Sequence, residues 1–508
     1  MSVTKDVSFS LKVVINKQKT KVLFAEAESD FVDILISFLT LPLGTIVKIL
    51  KKHYKDEEAP VKIGSLTSLY NGIANLDSDN FWTDGLHDVL LNPTSSFGDE
   101  CLQLKLDISD SQPTKYFTCN PHHCRPIPCL SVYYDTVICG CCQIMKREVG
   151  QNMSEAIGVF TINTMSFIIS DDLRVLPNMM GFVQTLKDLD VTDTNGTELR
   201  NVTFGFNEIM DLLKASLMSR TPLTDIILNK SQMYGDSART KYEPGVPLDR
   251  IDKKATPNSK KMNLKVILQK SSNKLLFAQA EDDFVDFLSC FLAIPLGGVE
   301  HLLGSNTCFK SIDNLHKSVA DLISDKYLAS AGTKNRLMNP KLFHGYISEN
   351  FILPLNNPTL IPTYECARGT IKFASINFVK GQGKYVRGPR MYKITDDLTV
   401  TPFCMASTIS TLEYLNIPLS DIKEMEFQIG LEEALSILKA SLTSTSALSD
   451  AMKIKPIKTQ QTICFFHAKR RSVLREKNSE DLGRRSIRRL RDSALKKFQP
   501  CGKGRAAK

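Results

Sequence analysis

Apolar residues recur at every second position at the start of the chain, at Leu11, Val13 and Ile15. That is the period of a half-buried strand. Lys17-Gln18-Lys19-Thr20 is turn-like, and Val22 to Ala27 reads as a second strand. The period then changes. Phe31, Ile34, Leu35 and Phe38 fall at helical spacing and predict a helix that covers the hairpin. Ser29-Asp30 is expected to cap this helix, with Asp33 in the first turn, where a carboxylate favours the helix dipole. The apolar stretch from Phe31 to Leu50 is near the length of a membrane span, but it carries Asp33, Pro42 and Lys48. Charges are expensive in a span. A buried helix that breaks at Pro42-Leu43-Gly44 is the better expectation, and no membrane span is predicted.

The same pattern returns later in the chain. Phe24-Ala25-Glu26-Ala27 becomes Phe277-Ala278-Gln279-Ala280, and Phe31-Val32-Asp33 becomes Phe284-Val285-Asp286. Asp282-Asp283 is the expected cap of the second copy, and its break is Ile294-Pro295-Leu296-Gly297. Each copy closes with a helix that places Leu213 and Leu217, or Leu438 and Leu442, on one face. A repeat of this length sets the architecture. Its offset is 253 at Pro42, 247 at Leu91-Asn92-Pro93 and 225 at Asp171-Asp172-Leu173. The first copy is therefore 22 residues longer between Pro93 and Asp171, an interval that contains a cysteine cluster.

The expected fold is α+β: two tandem related domains, each opening with a β-hairpin and helix, with a small zinc-ribbon-like insert in the first only. The boundaries are 8–230 for the first repeat, with the insert at about 115–147, and 262–452 for the second. Residues 231–261 read as a flexible linker rich in Pro, Gly and charge. Residues 453–508 read as a basic, mostly disordered tail.

The chain has 13 cysteines, an odd number, and no basic-then-apolar leader opens it. A reducing compartment, cytoplasmic or nuclear, is expected, and there metal binding outranks disulfides. Cys119, Cys124, Cys139 and Cys142 are the candidate ligands. Cys139 and Cys142 are spaced so that two thiolates converge from one turn, and a second pair about fifteen residues away would complete a closed four-cysteine zinc site. His122 and His123 lie within the first pair, and Cys129 and Cys141 are spare, so a different fourth ligand stays open. Tyr116-Phe117 and Val132-Tyr133-Tyr134 read as flanking strands.

These motifs, in this order, together with Thr395-Asp396-Asp397-Leu398 and Leu438-Lys439-Ala440-Ser441-Leu442, resemble the plant-specific family called domain of unknown function 674. The resemblance covers nearly all of residues 8–452. It implies a plant protein with a duplicated domain and no established activity. The family's knuckle is Cys-x-x-Cys-Gly; here Gln143 occupies the glycine position and Cys141 lies inside the pair.

Motifs for enzymes are missing. The chain has no Gly-x-x-x-x-Gly-Lys-Ser/Thr, no Gly-x-Ser-x-Gly and no His-Glu-x-x-His. Gly381-Gln382-Gly383 reads as a hairpin turn, and the repeated Asp171-Asp172 and Asp396-Asp397 read as turns, since neighbours on an extended strand point to opposite faces. Net charge is +9, yet Lys453 to Lys508 holds 18 Lys and Arg against four acids. The body is mildly acidic, and the basic character belongs to the tail. The leading expectation is a non-catalytic intracellular binding or scaffold protein with a structural zinc site and a protein partner. The alternatives are a nucleic-acid binder using ribbon and tail, and an enzyme of unrecognised type.

Overall fold

Phe9, Leu11, Val13 and Ile15 are buried, while the residues between them are exposed or half-buried, as the alternation requires. This comes from a computed structural model that describes residues 7–57, 60–109, 115–119, 131, 134–135, 137–149, 159–179, 181–229, 260–323, 326–329, 331–340, 342, 348, 350–355, 363–366, 369–372 and 384–457. Cys124, the Gly381–Gly383 turn, residues 230–259 of the linker region and the tail beyond Ile457 lie outside the described residues.

The first half runs β1 (Phe9–Ile15), β2 (Val22–Glu28), α1 (Ser29–Thr40), α2 (Leu43–His53), α3 (Leu66–Ala74), α4 (Asp84–Leu91), α5 (Gly98–Cys101), β3 (Tyr116–Thr118), β4 (Arg147–Val149), β5 (Ser166–Ser170), β6 (Val175–Pro177), α6 (Phe182–Asp188), β7 (Glu198–Phe204), α7 (Phe206–Met218) and α8 (Pro222–Ile227). The second half runs β8 (Met262–Gln269), β9 (Lys274–Glu281), α9 (Asp282–Ser289), α10 (Leu296–Leu303), α11 (Lys310–Asp321), α12 (Ala331–Met338), β10 (Thr363–Cys366), β11 (Gly369–Lys372), β12 (Met391–Ile394), β13 (Val400–Pro402), α13 (Met405–Tyr414), β14 (Ile422–Ile429), α14 (Leu431–Thr443) and α15 (Ala447–Ala451). Each half is thus α+β, with a five-stranded antiparallel sheet. The orders correspond: β6-β5-β2-β1-β7 and β13-β12-β9-β8-β14. Among the described residues no helix is long and apolar enough to cross a membrane.

Helix α1 is apolar on nearly every side and buried on nearly every side, the behaviour of a helix inside a core rather than on its surface. It ends where expected, at Leu41-Pro42. The reason lies in the other half. Pro42 and Pro295 face each other in an antiparallel bridge. Leu43 N–H donates to Ile294 O (2.9 Å), and Leu296 N–H donates to Leu41 O (2.9 Å). A Cβ on Gly44 would stand 3.1 Å from Leu292 O, and one on Gly297 would stand 3.1 Å from Leu39 O. The two glycines let the two backbones touch.

The halves also exchange short segments. Phe81 bridges Val386; Trp82 N–H donates to Tyr385 O (3.0 Å) and Arg387 N–H to Asn80 O (2.7 Å). The reciprocal set joins Thr161 to Leu328, Ala329 N–H to Phe160 O (2.9 Å) and Ile162 N–H to Tyr327 O (3.2 Å). Helices cross over too. Ser65, at the start of α3, donates to Ser444 O (2.6 Å), and Ser311 of α11 donates to Ser219 O (3.1 Å). One continuous apolar core spans both halves.

Several polar motifs acquire roles here. The first aspartate of each pair caps the last short helix of its own half. Asp171 accepts from Thr224 N–H and Oγ1 (2.8 and 2.7 Å), and Asp396 accepts from Ser449 N–H and Oγ (2.8 and 2.8 Å). Asp172 binds its own turn through Ser170 (2.5 Å) and also accepts from Asn314 Nδ2 of the crossing helix α11 (2.7 Å). The turn reading of these pairs stands.

The helix starts differ from expectation by one residue. Glu28 and Glu281 are the N-caps, without side-chain capping bonds, and Ser29 Oγ donates to Asn163 O (3.0 Å) instead. Asp33 and Asp286 are not exposed dipole partners. Both are buried beneath the exchanged segments. Asp33 Oδ1 accepts from Thr161 N–H (2.8 Å) and Oγ1 (2.7 Å). Asp286 Oδ1 accepts from Tyr385 N–H (2.7 Å) and Val386 N–H (3.1 Å), while its Oδ2 accepts from Asn350 Nδ2 (3.1 Å) and Ser348 Oγ. Burial pushes both carboxyls up to about 6 against these hydrogen bonds, which pull the other way.

Candidate metal centre

The cysteine-bearing insert grows out of a hairpin that both halves share. In the second half, β10 and β11 pair antiparallel with Cys366 opposite Gly369, so the connection is very short. In the first half the corresponding strands, β3 and β4, pair from Tyr116↔Val149 to Thr118↔Arg147. The extra residues of the first half fall between them. By the repeat's offset of 247, Cys119 matches Cys366, so the second half keeps one cysteine and lacks the rest.

Inside the insert a second, tighter hairpin forms. Met145 N–H donates to Val137 O (3.0 Å), and Cys139 N–H donates to Gln143 O (2.9 Å). Cys142 N–H donates back to Cys139 O (2.8 Å), and Cys142 has φ +61°. A tight turn followed by one left-handed residue is a common three-residue hairpin connection, usually with glycine at the left-handed position. Here Cys142 occupies that place, and it is exposed.

This geometry decides which thiols meet. The Sγ atoms of Cys119, Cys139 and Cys141 all lie within 4.8 Å of one another. Cys119 and Cys139 are buried, and Cys141 is half-buried. Four sulfurs on one zinc at about 2.3 Å sit roughly 3.8 Å apart, so the group needs to contract by about 1 Å at most. Cys119 and Cys139 are thus brought together as the spacing suggested, and Cys141 joins them. Cys142 stands outside this group, and Cys124 lies outside the described residues.

The insert is anchored to the body on one side. Phe117, Val137 and Met145 belong to the shared core. Phe117 packs edge-on against Tyr134 (5.3 Å between centroids), and a Cβ on Gly85 of α4 would stand 3.4 Å from Tyr134 O. The outer side is charged, with Lys146 2.9 Å from Asp135 and Lys115 3.5 Å from Glu148. These exposed pairs hold little energy.

A family model described as "Protein of unknown function (DUF674)" matches residues 5–429, and a second match covers residues 374–488. The chain belongs to that family. No curated protein and no solved structure matches it. The first DUF674 match takes in both sheets and the insert, so the shared scaffold and the thiol group both lie within family territory.

Proposed function

We propose that this DUF674 chain is a non-catalytic binding or scaffold protein of the cytoplasm or nucleus, with a structural zinc ion in its insert. The observation that carries the metal is the thiol group of Cys119, Cys139 and Cys141. Soft sulfur donors on a tight turn suit zinc, and four thiolates make a closed site, whereas a catalytic zinc keeps one position open for water. Cys124, five residues beyond Cys119, is the fourth ligand in this reading; Cys142 is the alternative to Cys141. The metal acts as a local staple. It holds the long connection that replaces the short turn of the second half.

Metal analysis of the purified full chain tests this. About one zinc per chain is expected, and Cys119→Ser and Cys139→Ser should each lose it. Cys141→Ser should lose it while Cys142→Ser keeps it; the reverse would exchange the two ligands. Cys366→Ser should change nothing. Full metal content in Cys139→Ser would reject the site.

The tail favours a second reading, nucleic-acid binding, on the strength of 18 Lys and Arg against four acids from Lys453 onward. Such binding would weaken steeply with salt.

A further inference from the structure

Two side chains meet across one of the exchanged seams, one from each half, and each has a buried nitrogen with no acceptor. Trp82 lies on the first-half segment and Arg387 on the second-half strap, with the guanidinium carbon 5.8 Å from the indole centroid. Trp82 Nε1 and Arg387 Nε are closed to solvent and make no hydrogen bond. Thr83 Oγ1, next in sequence, is also buried without a partner. An orphaned buried donor costs about 1–3 kcal/mol, so several in one place call for an acceptor.

The charges point the same way. The strap carries Lys384, Arg387 and Arg390. Lys384 is 3.6 Å from Asp282. Arg390 donates to Asp79 O (3.0 Å) and Asn80 Oδ1 (3.1 Å), both uncharged acceptors. Arg387 forms no ion pair among the described residues. The strap therefore carries uncompensated positive charge next to unused donors.

The reciprocal seam provides an internal control. Its backbone bonds are the same, but Ala329 stands at the position of Trp82 and Ile162 at that of Arg387. The exchange therefore does not require an indole or a guanidinium. We infer that Trp82 and Arg387 form a binding site for a small oxyanion, the carboxylate or phosphate group of a small molecule. Arg387 would present its fork of N–H donors to the oxygens, and the indole N–H would add one more. Both residues are partly exposed, so a small oxyanion can approach the seam from solvent, and the side chains would turn to bring the covered nitrogens to it.

Trp82 is the only tryptophan in the chain, so its emission reports on the site directly. The experiment titrates the full chain with inorganic phosphate, pyrophosphate and malonate at ionic strength held constant with sodium chloride. A saturable change in Trp82 emission is expected with at least one probe. Arg387→Gln should weaken it roughly tenfold or more, and Arg387→Lys, which keeps the charge and loses the fork, should fall between. Circular dichroism checks that each variant is folded; if Arg387→Gln is not, Arg387→Lys decides alone. No saturable response with any probe, the result a trapped water would give, overturns the site. So does a titration curve in the folded Arg387 variant that superimposes on the parent's.

Discussion

At the seam of residues 160–162 and 327–329, the buried carboxylate beneath is Asp33, and its hydrogen bonds all come from one continuous segment: Thr161 N–H and Oγ1, with backbone bonds from Phe160 and Val159. At the seam of residues 80–82 and 385–387, Asp286 takes four, from Tyr385, Val386, Ser348 and Asn350. Above the first sit Ile162 and Ala329; above the second sit Arg387 and Trp82. The backbone pairing is the same in both. Duplication has preserved what holds the halves together, and the side chains that touch solvent have gone separate ways. Shared features of the two halves are therefore evidence of architecture, and their differences are where function is to be sought.

The largest effect should come from the carboxylates. A carboxylate offers two acceptor oxygens, whereas an amide offers one and turns two N–H donors toward the neighbours. Asp286→Asn is expected to lower stability by about 2–3 kcal/mol in urea unfolding, since donors at Oδ1 and Oδ2 cannot both be served. Asp33→Asn should cost less, because the amide oxygen can still accept both Thr161 bonds, which go to the one oxygen Oδ1. Equal losses would mean that the seams are energetically alike despite their different bonding.

Next comes pH. Asp33, Asp171 and Asp286 are each pushed up to about 6 by burial, from an ordinary 3.8. A carboxyl raised in the folded state contributes stability that is full below about pH 4 and lost as pH rises through about 6. These groups should therefore make the protein less stable at pH 7.5 than near pH 5, by roughly 1–1.5 kcal/mol per carboxyl. Denaturant midpoints across pH 4–8 give the slope, and Asp286→Asn should flatten it. A slope that is unchanged in that variant would assign the dependence elsewhere.

The smallest effect is expected from Ala329→Trp, which copies the indole onto the plain seam. Ala329 is exposed, so stability should stay within about 0.5 kcal/mol of the parent. Without a guanidinium at Ile162, the new indole should show no saturable response to oxyanions.

What was legible in the sequence follows from the range of the interactions. The strand-turn-strand-helix opening and the helix break at Pro42 rest on local periodicity and local breakers, and both appear where expected. The spacing names Cys119 and Cys139 among four candidates, and the structure brings these two together with Cys141. The choice between Cys141 and Cys142 depends on one left-handed backbone angle, which Gln143 in place of glycine hinted at without deciding. Asp33 read as a first-turn residue because its true partner, Thr161, is 128 positions away. The exchanged segments are about three residues long, too short to show a period, and Phe81 and Val386 are separated by most of the chain. Trp82 and Arg387 left one trace: they are positions where the two copies disagree.

The exchange also has a consequence for how the protein is made. Phe81 and Trp82 leave the ribosome about 300 residues before their partners at Tyr385 and Val386. At roughly 5–20 residues per second, that gap lasts roughly 15–60 s. Through that interval the nascent first half carries a bare strand edge and the uncovered end of α3. A second ribosome on the same message can supply an identical first half, but not the missing strap. The yield of folded chain should therefore respond to translation speed and to chaperone occupancy during that interval.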